Sequence, residues 1–240
     1  VKFDGPVVAP GGRGQSPDPR RGPRVLRVAV EGDQEFVQLF DTEADALAYV
    51  TALCNVVSEI YRRDLNFILQ LNFVRLWPDG GAPVSADDLS GFANYWINNE
   101  DTSELNLVHL FSGRRDLPYG GVAYLADGCS NFAYGISGYL LGYYRQPRRM
   151  ADLTNWDIVV VAHEMGHNLS TPHTHDFGPP IDSCASGEEV RGTIMSYCHI
   201  RTGGLLNVDN RIHGEVGEFI LGNNPDGNCL WHDCNGNGRD

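Results

Sequence analysis

One stretch of the 240-residue chain concentrates side chains that could do chemistry: His163-Glu164-Met165-Gly166-His167-Asn168-Leu169-Ser170-Thr171-Pro172-His173. At about 100° per residue a helix puts His163 and His167 on one stripe, with Ile158, Ala162, Met165 and Leu169 roughly opposite. One face can then pack while the other binds. Imidazole suits Zn²⁺, two imidazoles at i and i+4 reach a single ion, and Glu164 beside the first can take a proton from water on that ion. If the helix stops near Ser170 and Pro172 turns the chain, His173 returns to the same ion as a third ligand. Three protein ligands leave the fourth position open for water, which a catalytic zinc requires and a structural zinc lacks. Surface histidines on an ordinary helix have no need of this spacing. His109, His175, His199, His213 and His232 lack it and read as polar surface or satisfied core residues, with His175 as a stand-in ligand.

The elements that must position this stretch are legible from periodicity and capping. Thr154 with Asp157 reads as a capping box opening a helix over 155–169. Upstream, 25–30 reads as a strand and 43–62 as a helix with Leu47, Val50, Leu53, Val57 and Ile60 on one stripe. A second strand is expected over 66–77 and a third over 105–111. Ser85 and Asp88 resemble a capping box ahead of a helix bearing Leu89, Phe92 and Trp96. A fourth strand is expected over 122–125 and a last helix over 209–221. No internal repeat is present. Strands and helices in this mixture, with 42% hydrophobic and 10% aromatic residues, indicate an α/β or α+β sandwich around one core.

Residues 1–24 hold five prolines and five glycines with little apolar periodicity, and read as a flexible tail or propeptide remnant, Arg20-Arg21 offering a processing site. The net charge is −13, and because 1–24 carry five basic groups against two acidic ones, the body is more acidic still. Such a body repels nucleic acid and anionic lipid, so no nucleic-acid or membrane partner is expected. No apolar run approaches the roughly 20 residues of a membrane-spanning helix, and residues 1–10 lack the features of a signal peptide, so any export signal is expected to lie outside this sequence. Six cysteines without a C-x-x-C pair favour disulfides and a secreted, extracellular protein, expected to be a monomer. Cys184 and Cys198 flank the segment that follows His173 and are expected to pair. Asp233, Asn235 and Asn237 match the start of a calcium loop, but the chain ends before its final bidentate carboxylate; weak calcium binding or an ordinary Asn/Gly-rich tail over 231–240 are the two readings.

The motif His-Glu-x-x-His with a third histidine at His173, followed by Thr193-Ile194-Met195-Ser196-Tyr197, resembles the metzincin zinc peptidases and their Met-turn. The resemblance covers 25–230 and is closest to the reprolysin or adamalysin branch, through Asn106 to Phe111, Gly120-Gly121-Val122-Ala123-Tyr124, Cys129 and Asn228-Cys229-Leu230. It implies a metzincin catalytic domain: a twisted mixed sheet and two long helices above a cleft, with the Met-turn and a last helix below. It implies zinc-dependent endopeptidase activity on extended protein or peptide substrates, with Met195 as an apolar floor under the site. The backbone of Gly121, Val122, Ala123 and Tyr124 would pair with the substrate, and Cys129 would pair with Cys229, leaving Cys54 and Cys234. Tyr197 occupies the position from which a tyrosine reaches the zinc in the serralysin and astacin branches. It would either stabilise the oxyanion or pack beside the turn.

Three departures stand out. Ser170 replaces the family's glycine, implying either a strained positive φ or a different turn. Thr174 replaces an aspartate after the third histidine, with Asp176 only later. Arg27 and Asn106 fall at acidic positions of the branch's calcium site, which is therefore expected to be missing. A rival reading is a silent binding or adhesion module on the same fold, against which the intact Glu164 argues.

Overall fold

The computed structural model describes residues 22–126, 133–145, 151–223 and 231–232. The apolar run after Arg24 forms β1 (Arg24–Gly32), buried along most of its length, and β2 (Phe67–Leu76) and β3 (Leu107–Phe111) lie parallel on either side of it. β5 (Tyr134–Ser137) adds in parallel to β3, and the short β4 (Gly121–Ala123) closes this side as an antiparallel edge strand, giving the order β2-β1-β3-β5-β4. The two-residue β8 (Trp231–His232) pairs with the start of β1. The fold is thus mixed α/β, as the sequence predicts, with a mostly parallel sheet, although β5 is not legible there. Its four residues are buried on both sides and so lack the alternation that marks a half-exposed strand.

A short helix, α1 (Gln34–Val37), follows β1, and α2 (Glu43–Leu65) then lies against the sheet. Thr42 caps α2 by accepting from the Asp45 amide, and Asn66 ends it in the left-handed conformation at φ 57°. The buried stripe is Ala46, Val50, Leu53, Val57, Ile60 and Tyr61, while Leu47 is 45% exposed. Ala46, not Leu47, keeps the four-then-three spacing of the buried face. On the other side of the sheet, α3 (Leu89–Asn99) buries Phe92 and Trp96. Its cap is Asp88, which accepts from the Gly91 amide at 2.8 Å, and the Ser85 hydroxyl instead accepts from Arg114.

The helix that carries the histidines, α4 (Trp156–His167), packs Ile158, Ala162 and Met165 into the core at 0% exposure. The expected capping box is not formed. Thr154 donates to Asp152, and Asp157 turns inward to accept from the Tyr49 hydroxyl at 2.7 Å and from the amides of Leu141 and Gly142. Burial pushes its carboxyl up to about 6. The Tyr61 hydroxyl donates to Ala162 O at 2.7 Å, so α2 braces α4 at its first turn and at its middle.

Below α4 the chain is short-ranged: three 3-10 turns (Thr174–Asp176, Cys198–Ile200, Gly204–Asn207), the two-residue parallel strands β6 (Gly192–Thr193) and β7 (Val208–Asp209), and α5 (Gly214–Asn223). The last helix starts five residues later than its pattern suggests because β7 takes Asp209. The Cys184–Cys198 disulfide forms as expected. Cys54 is buried and unpaired among the described residues. Cys129, Cys229, Cys234 and the calcium-loop residues Asp233, Asn235 and Asn237 lie outside the described residues.

Candidate metal centre

His163 and His167 stand one helical turn apart on α4, and the chain leaves the helix at Asn168, passes Ser170 at φ 75°, and brings His173 back beside them. His167 Nε2 lies 3.2 Å from His163 Nε2 and 3.2 Å from His173 Nε2. An ion with metal–nitrogen distances of 2.0–2.1 Å and tetrahedral angles needs its nitrogens about 3.3 Å apart. The spacing therefore fits one zinc-sized ion.

The opposite nitrogens fix the ring orientation. His163 Nδ1 is 2.7 Å from Ile194 O, His167 Nδ1 is 2.7 Å from Thr171 O, and His173 Nδ1 is 3.2 Å from Asp176 Oδ2. A carbonyl only accepts, so Nδ1 carries the proton in the first two rings and Nε2 is left with its lone pair toward the shared point. Burial, with the neighbouring imidazoles, lowers His167 to about 3 and His173 to about 2, and takes His163 well below its ordinary value. All three rings are thus neutral bases, the state in which imidazole binds metal.

Glu164 is 5% exposed and burial pushes its carboxyl up to about 8. The edge strand β4 passes directly over it: a methyl group on Gly121 would sit 2.5 Å from Glu164 Oε1. A side chain there would push the Glu164 carboxyl out of this position. From the other side Met195, fully buried, presses its sulfur against α4, 2.6 Å from where a side chain on Gly166 would begin. The turn is held in place because Thr174 N donates to Met195 O at 3.0 Å and Ile194 O takes the His163 proton. Tyr197 stands with its ring 4.3 Å from His173 and 6.3 Å from His163.

His163, Glu164, His167, His173 and Tyr197 line one cleft of 680 Å³ together with Gly121, Val122 and Ala123, while Met195 is fully buried outside its lining. The structure brings together His163, Glu164, His167, His173, Met195, Tyr197 and the edge strand, the set the sequence singled out. It adds residues that sequence reasoning left aside. Trp156, Val159 and Val160 extend the histidine stripe upstream as an apolar wall, which the i, i+3, i+4 spacing from Trp156 could have shown. His199 also lines the cleft, carried in by the 3-10 turn after Tyr197, and so does His175, the stand-in ligand of the sequence reading, stacked on His173 at 5.2 Å. Asp176 supplies the carboxylate partner of His173 despite the Thr174 replacement. Its placement depends on the 3-10 turn Thr174–Asp176, which has no sequence signature. His109 is a core residue, 2.8 Å from the Ser137 hydroxyl.

A mixed sheet above a three-histidine site, with a methionine turn beneath, is the metzincin arrangement. The chain belongs to the M12B reprolysin-like metallopeptidases, whose family model matches residues 22–220. The metallopeptidase AprA of Pseudomonas marginalis is 29% identical over 161 residues, covering 56% of this chain and 34% of its own length, so the chain spans about a third of that relative. A solved structure described as a chaperone-substrate complex aligns over 63% of this chain and 24% of its own, at 15% identity and a TM-score of 0.43, too low to bear on fold or function.

Proposed function

We propose that the chain is a zinc endopeptidase in which Nε2 of His163, His167 and His173 hold the metal and Glu164 is the general base. The observation that carries this reading is the convergence of three Nε2 atoms while each Nδ1 is engaged elsewhere. When bound, zinc supplies Lewis-acid polarisation of the scissile carbonyl and an acidified water.

The chain's own residues do the rest. In its carboxylate form Glu164 accepts the proton of the attacking water and passes it to the leaving amine. The backbone of Gly121–Ala123, at the edge of the sheet, pairs with an extended substrate and lays it across Glu164. Tyr197 donates its phenol to the oxygen that becomes negative in the transition state, a contact that favours that state over bound substrate. Met195 and the Ile194 carbonyl hold α4 and His163 against the turn. The peptidase domain spans 25–230, and the Cys184–Cys198 disulfide supports an oxidising, extracellular setting.

A chelator is expected to abolish cleavage of a general protein substrate and one zinc per chain to restore it, with His167→Ala failing to recover. Full cleavage by metal-free protein would overturn the reading.

A further inference from the structure

We propose that the Ser170 hydroxyl is a positioning group that fixes the substrate-pairing strand against the metal-ligand turn, a task that the family's glycine has no atom to perform. The proposal rests on the endopeptidase reading and adds to it a residue whose chemistry departs from the family pattern.

Ser170 sits at φ 75°, a region that L residues other than Asn and Asp rarely enter. Strain of this kind persists only where the surroundings hold it, and it collects at functional sites. Here the surroundings are identifiable. Three hydrogen bonds stitch the chain just beyond β4 to the end of α4: Ala126 N donates to His167 O at 3.2 Å, Asn168 Nδ2 to Tyr124 O at 2.9 Å, and Ser170 Oγ to Ala126 O at 2.8 Å. Asn168 also donates to Tyr134 O at 3.0 Å, so that amide serves the sheet as well. Ser170 belongs to the turn alone. The same turn carries the Thr171 carbonyl that orients His167 and leads into His173.

Ala126 is 6% exposed, so water does not readily replace the hydroxyl on its carbonyl. The link therefore ties two parts of one reaction geometry, the strand that sets substrate register and the turn that sets the ligands. Small errors in that relation are expensive for a substrate that must meet Glu164 at hydrogen-bond distance.

Two variants separate the hydroxyl from the backbone strain. Ser170→Gly removes both, and Ser170→Ala removes only the hydroxyl. If the hydroxyl positions the strand, both raise KM for a peptide long enough to pair with Gly121–Ala123 by about fivefold, the scale of one lost hydrogen bond, with kcat falling less and zinc affinity kept. Amide exchange over 121–126 speeds up in both, although the glycine variant has the higher Tm. KM at the wild-type value in the glycine variant, which folds without strain, overturns the proposal. So does a KM that follows Tm, normal in glycine and raised only in alanine. A wild-type protein that binds zinc and cleaves, measured alongside, keeps a failure here distinct from failure of the endopeptidase reading, and a wild type that does neither overturns both.

Discussion

The two walls of the cleft are built by different means. Above, α2, α4 and the sheet are regular elements whose site residues follow from helix geometry: His163, Glu164 and His167 are placed by a 3.6-residue repeat packed on Ile158, Ala162 and Met165. Below, residues 168–212 hold His173, Met195 and Tyr197 with turns, two-residue strands, a disulfide and single hydrogen bonds to backbone. Helices place side chains by repetition, whereas the lower wall places each one by a separate tertiary contact. Single substitutions should therefore act locally and specifically in the lower wall.

Within the lower wall the largest effect is expected from the disulfide. Cys198→Ser opens a loop of 14 residues' separation, and the entropy of such a loop corresponds to about 3 kcal/mol. Amide exchange should rise over 184–208 while α2 and the sheet stay protected; uniform loosening of both walls would erase the contrast. Tyr197→Phe keeps the ring beside His173 and removes the phenol donor. Turnover should fall by roughly 10²-fold with KM little changed, and an unaltered kcat in folded, zinc-loaded protein would assign Tyr197 to packing. Asp176→Asn is the smallest of the three: losing the carboxylate on His173 Nδ1 should weaken zinc by about tenfold in a chelator competition. The same affinity as wild type would mean that the lower wall holds His173 without that carboxylate.

The contrast between walls also decides what could be read in advance. The sequence predicts α2 and α4 because each repeats an apolar stripe over several turns, and β2 because apolar and polar residues alternate through its middle. It identifies the first two histidines and Glu164 for the same reason. β5 escapes because burial on both sides removes its alternation. Thr154 and Asp157 mislead because a capping-box spacing says nothing of a buried partner, and Asp157 finds Tyr49 across 108 positions of chain. Met195 and Tyr197 are legible through family resemblance alone, since no periodicity marks them. Asp176 and His199 depend on 3-10 turns without a sequence signature, and the edge strand's passage over Glu164 on a contact between distant segments. Of the two readings open for Ser170, the positive φ is the one adopted, with a hydroxyl contact that the sequence does not announce.

The central claim is that Glu164, under β4 and beside three neutral imidazoles, moves the proton of the hydrolytic step. Glu164→Gln tests it most directly, because glutamine keeps the side-chain shape and cannot accept that proton. Zinc content and peptide cleavage would be measured on the same protein sample. One zinc per chain with turnover down by about 10³-fold is the expected result; a zinc-replete Gln variant that cleaves at the wild-type rate would contradict the account.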